Sequence, residues 1–390
     1  MKKIYFIVFF LGSIHLHSQI VLDSMTREPI QFAHITDEKG QGTTTNEVGK
    51  FSIDYFVESN NIEFSHLAYR KKNIKKNNLS KKDTIWLSPY IISLEEVFVR
   101  GETAKDIIIK AIKSIPQNII SNPFNLYGFY RESVQEDGKG AMLTEVSFMT
   151  YNEGDNNPQG YQAEIIQGRR TENHTKLNLD AVGGIATIVR NADMVRSKSR
   201  MFDIDNLSDY TFKYVGEIES RENPILIIGF SPSNDNIYNN NMGKIYIERE
   251  TMAIVQIETQ KDPEKIKAIV ASSLEGKKSK NPVFILIEAK ATIKYRKVHD
   301  KYFLSFVEVD NVRNGILGQE SYRYSSNAKY ILTRVEHISP KKLSTNYDVE
   351  EGFNKQVIAI PKLEGWNENN TMFFSEEERK ILKDIRDLRN

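Results

Sequence analysis

The stretch VFILIEAKATIKYRKVHDKYFLSFVEVDNV (Val283–Val312) contains two runs of alternating apolar and polar residues, which are joined by the short link Val298–Asp300. Alternation of this kind is typical of strands that bury one face, and the link predicts a hairpin turn. Glu250-Thr251 is a second link of this type. Further alternating runs occupy Thr211–Glu219, Pro224–Phe230, Gly243–Arg249, Met252–Gln260 and Lys329–Ile338. The sequence therefore predicts an antiparallel meander.

Strand patterns dominate the whole region 123–340, apart from a less regular stretch at Gly154–Asp209 that favours turns and one or two helices. A sheet of this size must bend to hide its apolar face, either over a helix or against another sheet. We therefore expect a fold that is mainly β with some α, in which 123–340 forms a larger antiparallel curved-sheet (α+β) domain.

The segment 19–99 has a different pattern, with short strands separated by turn signals. Runs such as IQFAHIT (Ile30–Thr36) and NIEFSHLAY (Asn61–Tyr69) are five to nine residues long. Strands of this length and spacing predict a Greek-key-type β-sandwich. SLEEVFVRG (Ser93–Gly101) follows, and it fits either an ordinary connecting strand or a docking strand.

QIVLDSMTREPIQFAHI (Gln19–Ile35), GTTTNEVGKFSI (Gly42–Ile53) and IEFSHLAYRKKNI (Ile62–Ile74) closely resemble the carboxypeptidase regulatory-like domain. The resemblance implies a transthyretin- or immunoglobulin-like sandwich that accompanies a catalyst without doing chemistry itself. Its best-marked positions are Pro29, Gly42, Thr43, Asn46, Gly49 and Phe51. Each fits a structural role, since glycine permits a turn, asparagine caps it and phenylalanine fills the core.

NPFNLYGFYRES (Asn122–Ser133) and the segments ILIIGFSPSN and GKIYIERETMAIVQIE, within 225–258, resemble an uncharacterised region. That region follows regulatory-like domains in envelope proteins of Gram-negative bacteria. The resemblance implies that this chain is also an envelope protein. The amino end agrees, because Met1–Ser18 has the charged start, apolar run and small final residue of a secretory signal. We expect cleavage before Gln19.

Two helices are predicted outside the sheets. Thr103–Ile115, within a linker-helix segment 100–122, carries apolar residues at helical spacing and a capping residue, and Pro116 predicts its end. The polar tail 341–390 ends in a helix that starts with a Ser375 and Glu378 capping box. Its apolar stripe consists of Ile381, Leu382, Ile385 and Leu388. The stripe fits packing on the same chain or binding to a partner.

Composition excludes several classes of site. The chain has no cysteine, so it has no disulfide, thiolate metal site or cysteine nucleophile. Its 53 basic and 52 acidic residues are balanced, which gives no electrostatic basis for binding nucleic acid. After residue 18 no apolar run is long enough to form a membrane-spanning helix.

The histidines lack the spacing of a zinc site, since none is followed three residues later by glutamate. After the signal they are His34, His66, His174, His299 and His337. GFSPS (Gly229–Ser233) lacks the second glycine of a serine nucleophile elbow. A third candidate, for calcium, consists of Asp203, Asp205, Asn206 and Asp209. The required glycine and terminal glutamate are missing there, which favours a solvated turn.

A basic cluster at Arg70–Lys76, with Lys81 and Lys82, fits contact with lipopolysaccharide or an acidic glycan. It fits better a strand edge that lysines keep soluble. Glu95 and Glu96 are neighbours on a strand, so they point to opposite faces and do not form a catalytic pair.

These observations predict an exported, non-enzymatic binding or scaffold protein of the periplasm or cell envelope. The larger sheet would hold a protein partner or an apolar ligand on the concave face between Phe212 and Ile338. The alternative is an unrecognised hydrolase that acts on envelope glycans or peptides, with carboxylates brought together only by the fold. No catalytic, cofactor-binding or metal-ligating residue is predicted.

Overall fold

A computed structural model describes residues 19–80, 83–93, 101–154, 161–173, 176, 184–185, 187–220, 223–233, 239–274, 283–344, 347–348, 353, 356–357 and 372–387. Several predictions lie outside these residues: the signal Met1–Ser18, His174, the glutamates 95 and 96, the lysines 81 and 82, and Leu388. The fold class is confirmed, since the chain has an amino-terminal pair of small sheets, a large curved antiparallel sheet and a carboxy-terminal helix.

The amino-terminal sandwich consists of two sheets, with strand orders β4-β1-β7 and β3-β2-β5-β6. The strands are β1 (Gln19–Asp23), β2 (His34–Asp37), β3 (Gly42–Thr44), β4 (Lys50–Phe51), β5 (Asn61–His66), β6 (Tyr69–Lys75) and β7 (Thr84–Leu87). The Asn46 Oδ1 atom accepts hydrogen bonds from the backbone of Val48 and Lys50, and Gly49 has a φ of 72°. Phe51 is buried in the core, so the predicted roles of these residues are confirmed.

The large sheet contains eleven antiparallel strands in the order β11-β10-β9-β18-β17-β16-β15-β14-β13-β12-β8. Their bounds are β8 (Ile91–Ser93), β9 (Phe124–Glu136), β10 (Lys139–Asn152), β11 (Tyr161–Glu172), β12 (Tyr210–Glu219), β13 (Ile225–Pro232), β14 (Asn241–Glu248), β15 (Ile254–Lys261), β16 (Val283–Val298), β17 (Lys301–Leu317) and β18 (Glu320–Glu336). Both predicted hairpin links are turns between neighbouring strands. β8 comes directly after the sandwich and pairs with β12, so it joins the two units.

The sequence analysis missed two elements of this domain. β11 lies inside the stretch expected to be irregular, and a bulge opposite Ser147 and Phe148 interrupts its alternation. The helix α2 (Pro263–Leu274) was also missed, although its start is visible in the sequence. Asp262 accepts hydrogen bonds from the backbone of Glu264 and Lys265, which is how a capping residue behaves.

The concave face of the sheet is filled by the helix α1 (Ala104–Asn118). Ile107, Ile108, Ala111 and Ile115 are buried there in one large apolar core. Thr103 caps the helix as predicted. The predicted end at Pro116 is wrong, because α1 continues to Asn118. A proline in the last turn removes a single backbone hydrogen bond, and the Ile119 N–H still donates to the Ile115 carbonyl.

The carboxy-terminal helix α3 (Glu376–Asp387) packs on the convex face, against β10. Its capping box is present: the Ser375 N–H donates to the Glu378 carboxylate at 2.8 Å, and the Glu378 N–H donates to Ser375 Oγ at 3.0 Å. Ile381 and Ile385 are buried against Leu143. Of the two interpretations of the stripe, packing on the same chain is therefore the one that the described residues adopt.

A buried charge network of Glu47, Lys329, Glu378, Arg131 and Glu145 lies beneath α3. Arg131 is only 1% exposed and is 2.8 Å from Glu145 and 3.1 Å from Glu378. Lys329 pairs with Glu378 at 3.0 Å and with Glu47 of the sandwich. Although burial raises it, the pKa of Glu378 lies below its ordinary value because of Arg131 and Lys329. The network thus joins the sandwich, the sheet and α3.

Among the described residues, no helix has both the length and the apolar character needed to cross a membrane.

Replacing Glu378 by Gln leaves Arg131 and Lys329 with too little negative charge in a buried setting. We expect the free energy of unfolding to fall by about 3–5 kcal/mol, as when one partner of a buried pair is removed. Urea unfolding measures this. The control is Glu376→Gln on the exposed face of the same helix, expected to change stability by less than about 0.5 kcal/mol. Equal losses in the two variants would contradict the role given to the network.

Candidate functional site

The sandwich packs on the convex face of the large sheet. At the centre of this contact the rings of Phe32 and Phe306 lie 4.7 Å apart, with Ile331 and Met372 beside them. Because these four side chains are buried, the sandwich covers a face that would otherwise meet water. The cover is incomplete next to the aromatic pair, and a cavity remains there.

This junction cavity has a volume of about 250 Å³ and opens to solvent. One wall comes from the sandwich, where His34, His66 and Tyr69 line it. The opposite wall comes from the large sheet, with Lys294 and Arg296 on β16. Ligand pockets commonly lie between structural units in this way, with volumes of roughly 300–1,000 Å³. The junction cavity is therefore suited to a small ligand.

Lys294 is a buried cation without a carboxylate partner among the described residues. Its side chain is 8% exposed, and its Nζ donates to the Phe32 carbonyl at 3.2 Å. The same nitrogen lies 5.4 Å from the centre of the Phe306 ring. Burial lowers the pKa of Lys294 to about 8, so the side chain still carries its charge at neutral pH. One carbonyl and the aromatic rings leave most of that charge uncompensated.

Arg296 is a second cation of this kind. Its Nη2 donates to the Gly40 carbonyl at 3.1 Å, and its buried Nε has no hydrogen-bond partner in the structure. Burial lowers the pKa of Arg296 to about 10. The guanidinium also packs against Gly42, where an added Cβ would lie 2.9 Å from Nη1. A glycine in the sandwich therefore permits the close approach of a charged side chain of the sheet.

The two histidines of the cavity are neutral at physiological pH, because their pKa values are held well below the ordinary value. Burial, together with the charge of Lys294, holds the pKa of His66 well below its ordinary value. Its Nδ1 accepts from the Ala68 N–H at 3.2 Å, so Nε2 carries the proton. Burial and the same cations also lower the pKa of His34. The His34 Nε2 atom lies 3.4 Å from Ser305 Oγ, which itself donates to the Lys294 carbonyl.

Carboxylates of the cavity wall are already engaged. Glu248 accepts a hydrogen bond from Tyr302 at 2.6 Å and another from Thr251. Glu63 lies 3.8 Å from Lys71 at the rim. Neither forms an ion pair with Lys294 or Arg296. The wall of the cavity therefore carries a surplus of positive charge.

Two buried acids elsewhere bear on the hydrolase hypothesis. Burial raises the pKa of Glu132 to about 8, and Tyr130 donates to this side chain at 3.1 Å. Burial also raises the pKa of Asp193, which accepts from Tyr295 at 3.1 Å. Among the described residues, no other carboxylate contributes to either shift. These two acids are thus separately held and do not form the close pair that the hypothesis requires.

The predicted calcium candidates serve the backbone and a neighbouring arginine. Asp203 accepts from the Asp205 N–H and from the Asn206 side chain, which caps a short 3-10 helix. Asp209 pairs with Arg200. Within the described parts of the chain, no group of three or more histidines, aspartates or glutamates is arranged to hold a metal ion.

Ser231 of the serine candidate Gly229–Ser233 lies within a strand and does not start a turn. It lies in β13 opposite Thr211, because the alternating pattern of β13 continues through it to Pro232. Such a residue is held in a ladder and not on an exposed elbow.

The histidines are less scattered than their positions in the sequence suggest. His34 and His66 share the cavity, and the rings of His299 and His337 lie 5.1 Å apart. The basic run Arg70–Lys76 lies in β6 as far as Lys75, at the edge of its sheet, and Lys76 starts a short 3-10 helix.

Sequence reasoning missed Lys294 and Arg296. They belong to an alternating strand, where polar side chains of this period normally face water. The sequence gives no sign that the sandwich covers this particular face. The apolar residues of the site predicted on the concave face are covered in the structure, since they pack against α1, Ile185 and the segment 187–207.

A family model described as CarboxypepD_reg-like domain matches residues 20–99. No curated protein matches the chain. Solved structures that resemble it include a LolA superfamily protein from Nitrosomonas europaea, with 10% identity and a TM-score of 0.27 over 62% of this chain and 95% of that one.

Two others are a putative outer membrane lipoprotein-sorting protein domain from Vibrio parahaemolyticus and a DUF1329 family protein from Desulfovibrio piger. The first has 8% identity and a TM-score of 0.27 over 66% of this chain and 99% of that one. The second has 10% identity and a TM-score of 0.29 over 62% and 95%. The family match confirms the predicted resemblance: residues 20–99, which include the amino-terminal sandwich, match the model of the CarboxypepD_reg-like domain.

Proposed function

We propose that this chain is an exported, non-enzymatic binding protein of the cell envelope, and that the junction cavity is its ligand site. One observation carries the proposal: the cavity is built from both β units, and its wall holds buried cations that the protein itself leaves unpaired. Unpaired buried charge destabilises the fold, so its presence in a cavity supports a role in binding.

The concave face is the less favourable place for a ligand. An apolar molecule bound there would have to displace α1, whose Ile107, Ile108 and Ala111 are at most 2% exposed. Displacing them would expose several large side chains, each of which contributes about 1.5–3 kcal/mol when buried. The junction cavity requires no such rearrangement.

The hydrolase alternative meets a geometric obstacle in the cavity. Among the described residues, Ser305 and His34 are the one serine and histidine in contact beside the cavity, at 3.4 Å. Ser305 is 1% exposed, and its hydroxyl proton is directed to the Lys294 carbonyl. A nucleophile must reach its substrate, whereas this serine orients a histidine ring from behind.

The binding role is tested with a set of small aromatic fragments that carry neutral, positive or negative groups. We expect at least one class to shift the NMR signals of His34 and His66. Ser65→Phe, which fills the cavity, should abolish the shifts. Thr84→Phe, on an exposed position of β7, is the matched control and should leave them unchanged. Absence of binding by every class, or a specific turnover that depends on these residues, would overturn the proposal.

Lys294→Met should stabilise the ligand-free protein. The variant removes a buried charge that burial disfavours, and we expect a gain of about 1–3 kcal/mol at pH 7. Urea unfolding without added ligand measures the gain. Lys290→Met, at an exposed position of the same strand, should change stability by less than about 0.5 kcal/mol. A loss of stability in Lys294→Met would show that the charge contributes to folding and is not held for a ligand.

Export is tested by expressing the whole chain in a Gram-negative host. The mass of the purified protein should correspond to a start at Gln19 or within one or two residues of it, and the protein should occur in the periplasmic or envelope fraction. Val8→Arg interrupts the apolar run and should prevent cleavage. A native protein that retains Met1 and stays in the cytoplasm would contradict this part of the proposal.

A further inference from the structure

The charges that line the junction cavity identify the kind of ligand that would complete it. We propose that the cavity binds a small organic anion, whose carboxylate or phosphate group is held between Lys294, Arg296 and His66. The inference rests on the proposed function and adds the chemical class of the ligand to it.

The ammonium group of Lys294 has more N–H donors than the structure gives it acceptors. An ammonium group carries three N–H bonds, and the structure gives this one a single acceptor, the Phe32 carbonyl. The Phe32 and Phe306 rings lie near the nitrogen and exclude water from that side. The remaining donors belong to a side chain that lines the cavity. An anion is the group that satisfies both the donors and the charge.

Arg296 adds a planar donor beside it. One of its nitrogens is bound to the Gly40 carbonyl, and the buried Nε atom is unpartnered. Guanidinium groups bind carboxylates and phosphates through two parallel hydrogen bonds. The side chain reaches the cavity because Gly42 leaves room for it. Lys294 and Arg296 both line the cavity, so each can contribute positive charge to the binding of an anion there.

The histidines add donors without adding charge. His66 uses Nδ1 to accept the Ala68 N–H, so the proton on its Nε2 is available to a ligand. His34 is held by Ser305. Burial lowers the pKa values of both rings, and the charge of Lys294 lowers them further, so a bound anion would offset this second effect and raise the two pKa values.

An apolar part of the cavity, to which both walls contribute, determines the body of the ligand. Leu67, Tyr90, Ile225 and Val255 line it and form an apolar patch between the sandwich and the sheet. A hydrated inorganic ion would leave this patch in contact with water. An anion with a short apolar or aromatic body would fill both parts of the cavity.

The test compares four probes that share one aromatic ring: benzoate, phenyl phosphate, benzamide and benzylamine. Isothermal titration calorimetry of the purified protein should show benzoate or phenyl phosphate binding at least about tenfold more tightly than benzamide, since charged hydrogen bonds are the stronger ones. Benzylamine should not bind. The relative affinities of the two anions distinguish a carboxylate site from a phosphate site.

Variants locate the anion. Lys294→Met and Arg296→Met should each weaken benzoate or phenyl phosphate binding by about tenfold or more. Lys290→Met, on the same strand and paired with Glu288, should bind as the native protein does. Urea unfolding of each variant shows that it is folded. Should Arg296→Met fail to fold, Arg296→Lys keeps the charge and should retain part of the affinity.

Affinity should also depend on pH. Burial lowers the pKa of Lys294 to about 8, while the charges of Glu308 and Glu258 act in the opposite direction. The other titratable groups that line the cavity are Arg296, Lys297, Lys71, His34, His66, Glu63, Glu248, Tyr69, Tyr90, Tyr295 and Tyr302. Above about pH 8 the free protein loses the Lys294 proton, so benzoate affinity should fall between about pH 7 and 9.5. Lys294→Met should remove this dependence.

The outcomes separate the two proposals. If benzamide binds in the cavity as tightly as benzoate, the anion inference is wrong and the binding role stands. If no probe of any charge binds there, the proposed function fails with it. If benzoate binds but neither Lys294→Met nor Arg296→Met weakens it, the anion lies elsewhere and the inference is overturned.

Discussion

The arrangement of the molecule depends on a row of buried charges that alternate in sign. Glu47, Lys329, Glu378, Arg131 and Glu145 come from the sandwich, two strands, a helix and a third strand. In a medium of low dielectric each charge requires its neighbours, because an unpaired one is costly. The network therefore fixes where the sandwich and α3 sit on the sheet, and with them every contact on the convex face.

The position of the cavity follows from that placement. The sandwich covers the convex face along Phe32 and Phe306 and leaves a gap beside them, where Lys294 and Arg296 remain. The two sets of charges on this face therefore differ in how their cations are paired. In the network every cation has a carboxylate, whereas the hydrogen bonds of Lys294 and Arg296 in the cavity go to backbone carbonyls. Cations that are all paired with carboxylates suit a structural role, whereas cations without a carboxylate partner suit a site that binds a ligand.

The two faces of the curved sheet also have different roles. Its concave face holds α1 in an apolar core, as a bent sheet over a helix requires. This core leaves the convex face to carry polar chemistry, which is the reverse of the sequence expectation that placed the ligand on the concave side. The expectation was based on the apolar residues of the sheet, and in the structure those residues pack against the helix.

Local pattern was enough for much of the fold. Alternation predicted the strands from Tyr210 to Glu336, and capping boxes predicted the starts of α1 and α3, because period and capping depend on residues close in the sequence. The family resemblance identified the sandwich through Asn46, Gly49 and Phe51. Pattern failed at β11, where a bulge breaks the period, and at Pro116, where the end of the helix depends on packing.

The junction cavity, in contrast, could not be predicted from local pattern. The period of a strand places Lys294 and Arg296 on one face of β16, and the family resemblance places His34 and His66 in the sandwich. Only the tertiary structure decided that these faces meet, because the contact joins residues more than 200 positions apart through Phe32 and Phe306. The burial of a side chain, the hydrogen-bond partners that it lacks and the shift of its pKa all depend on the residues that pack over it. A local sequence pattern does not contain that information.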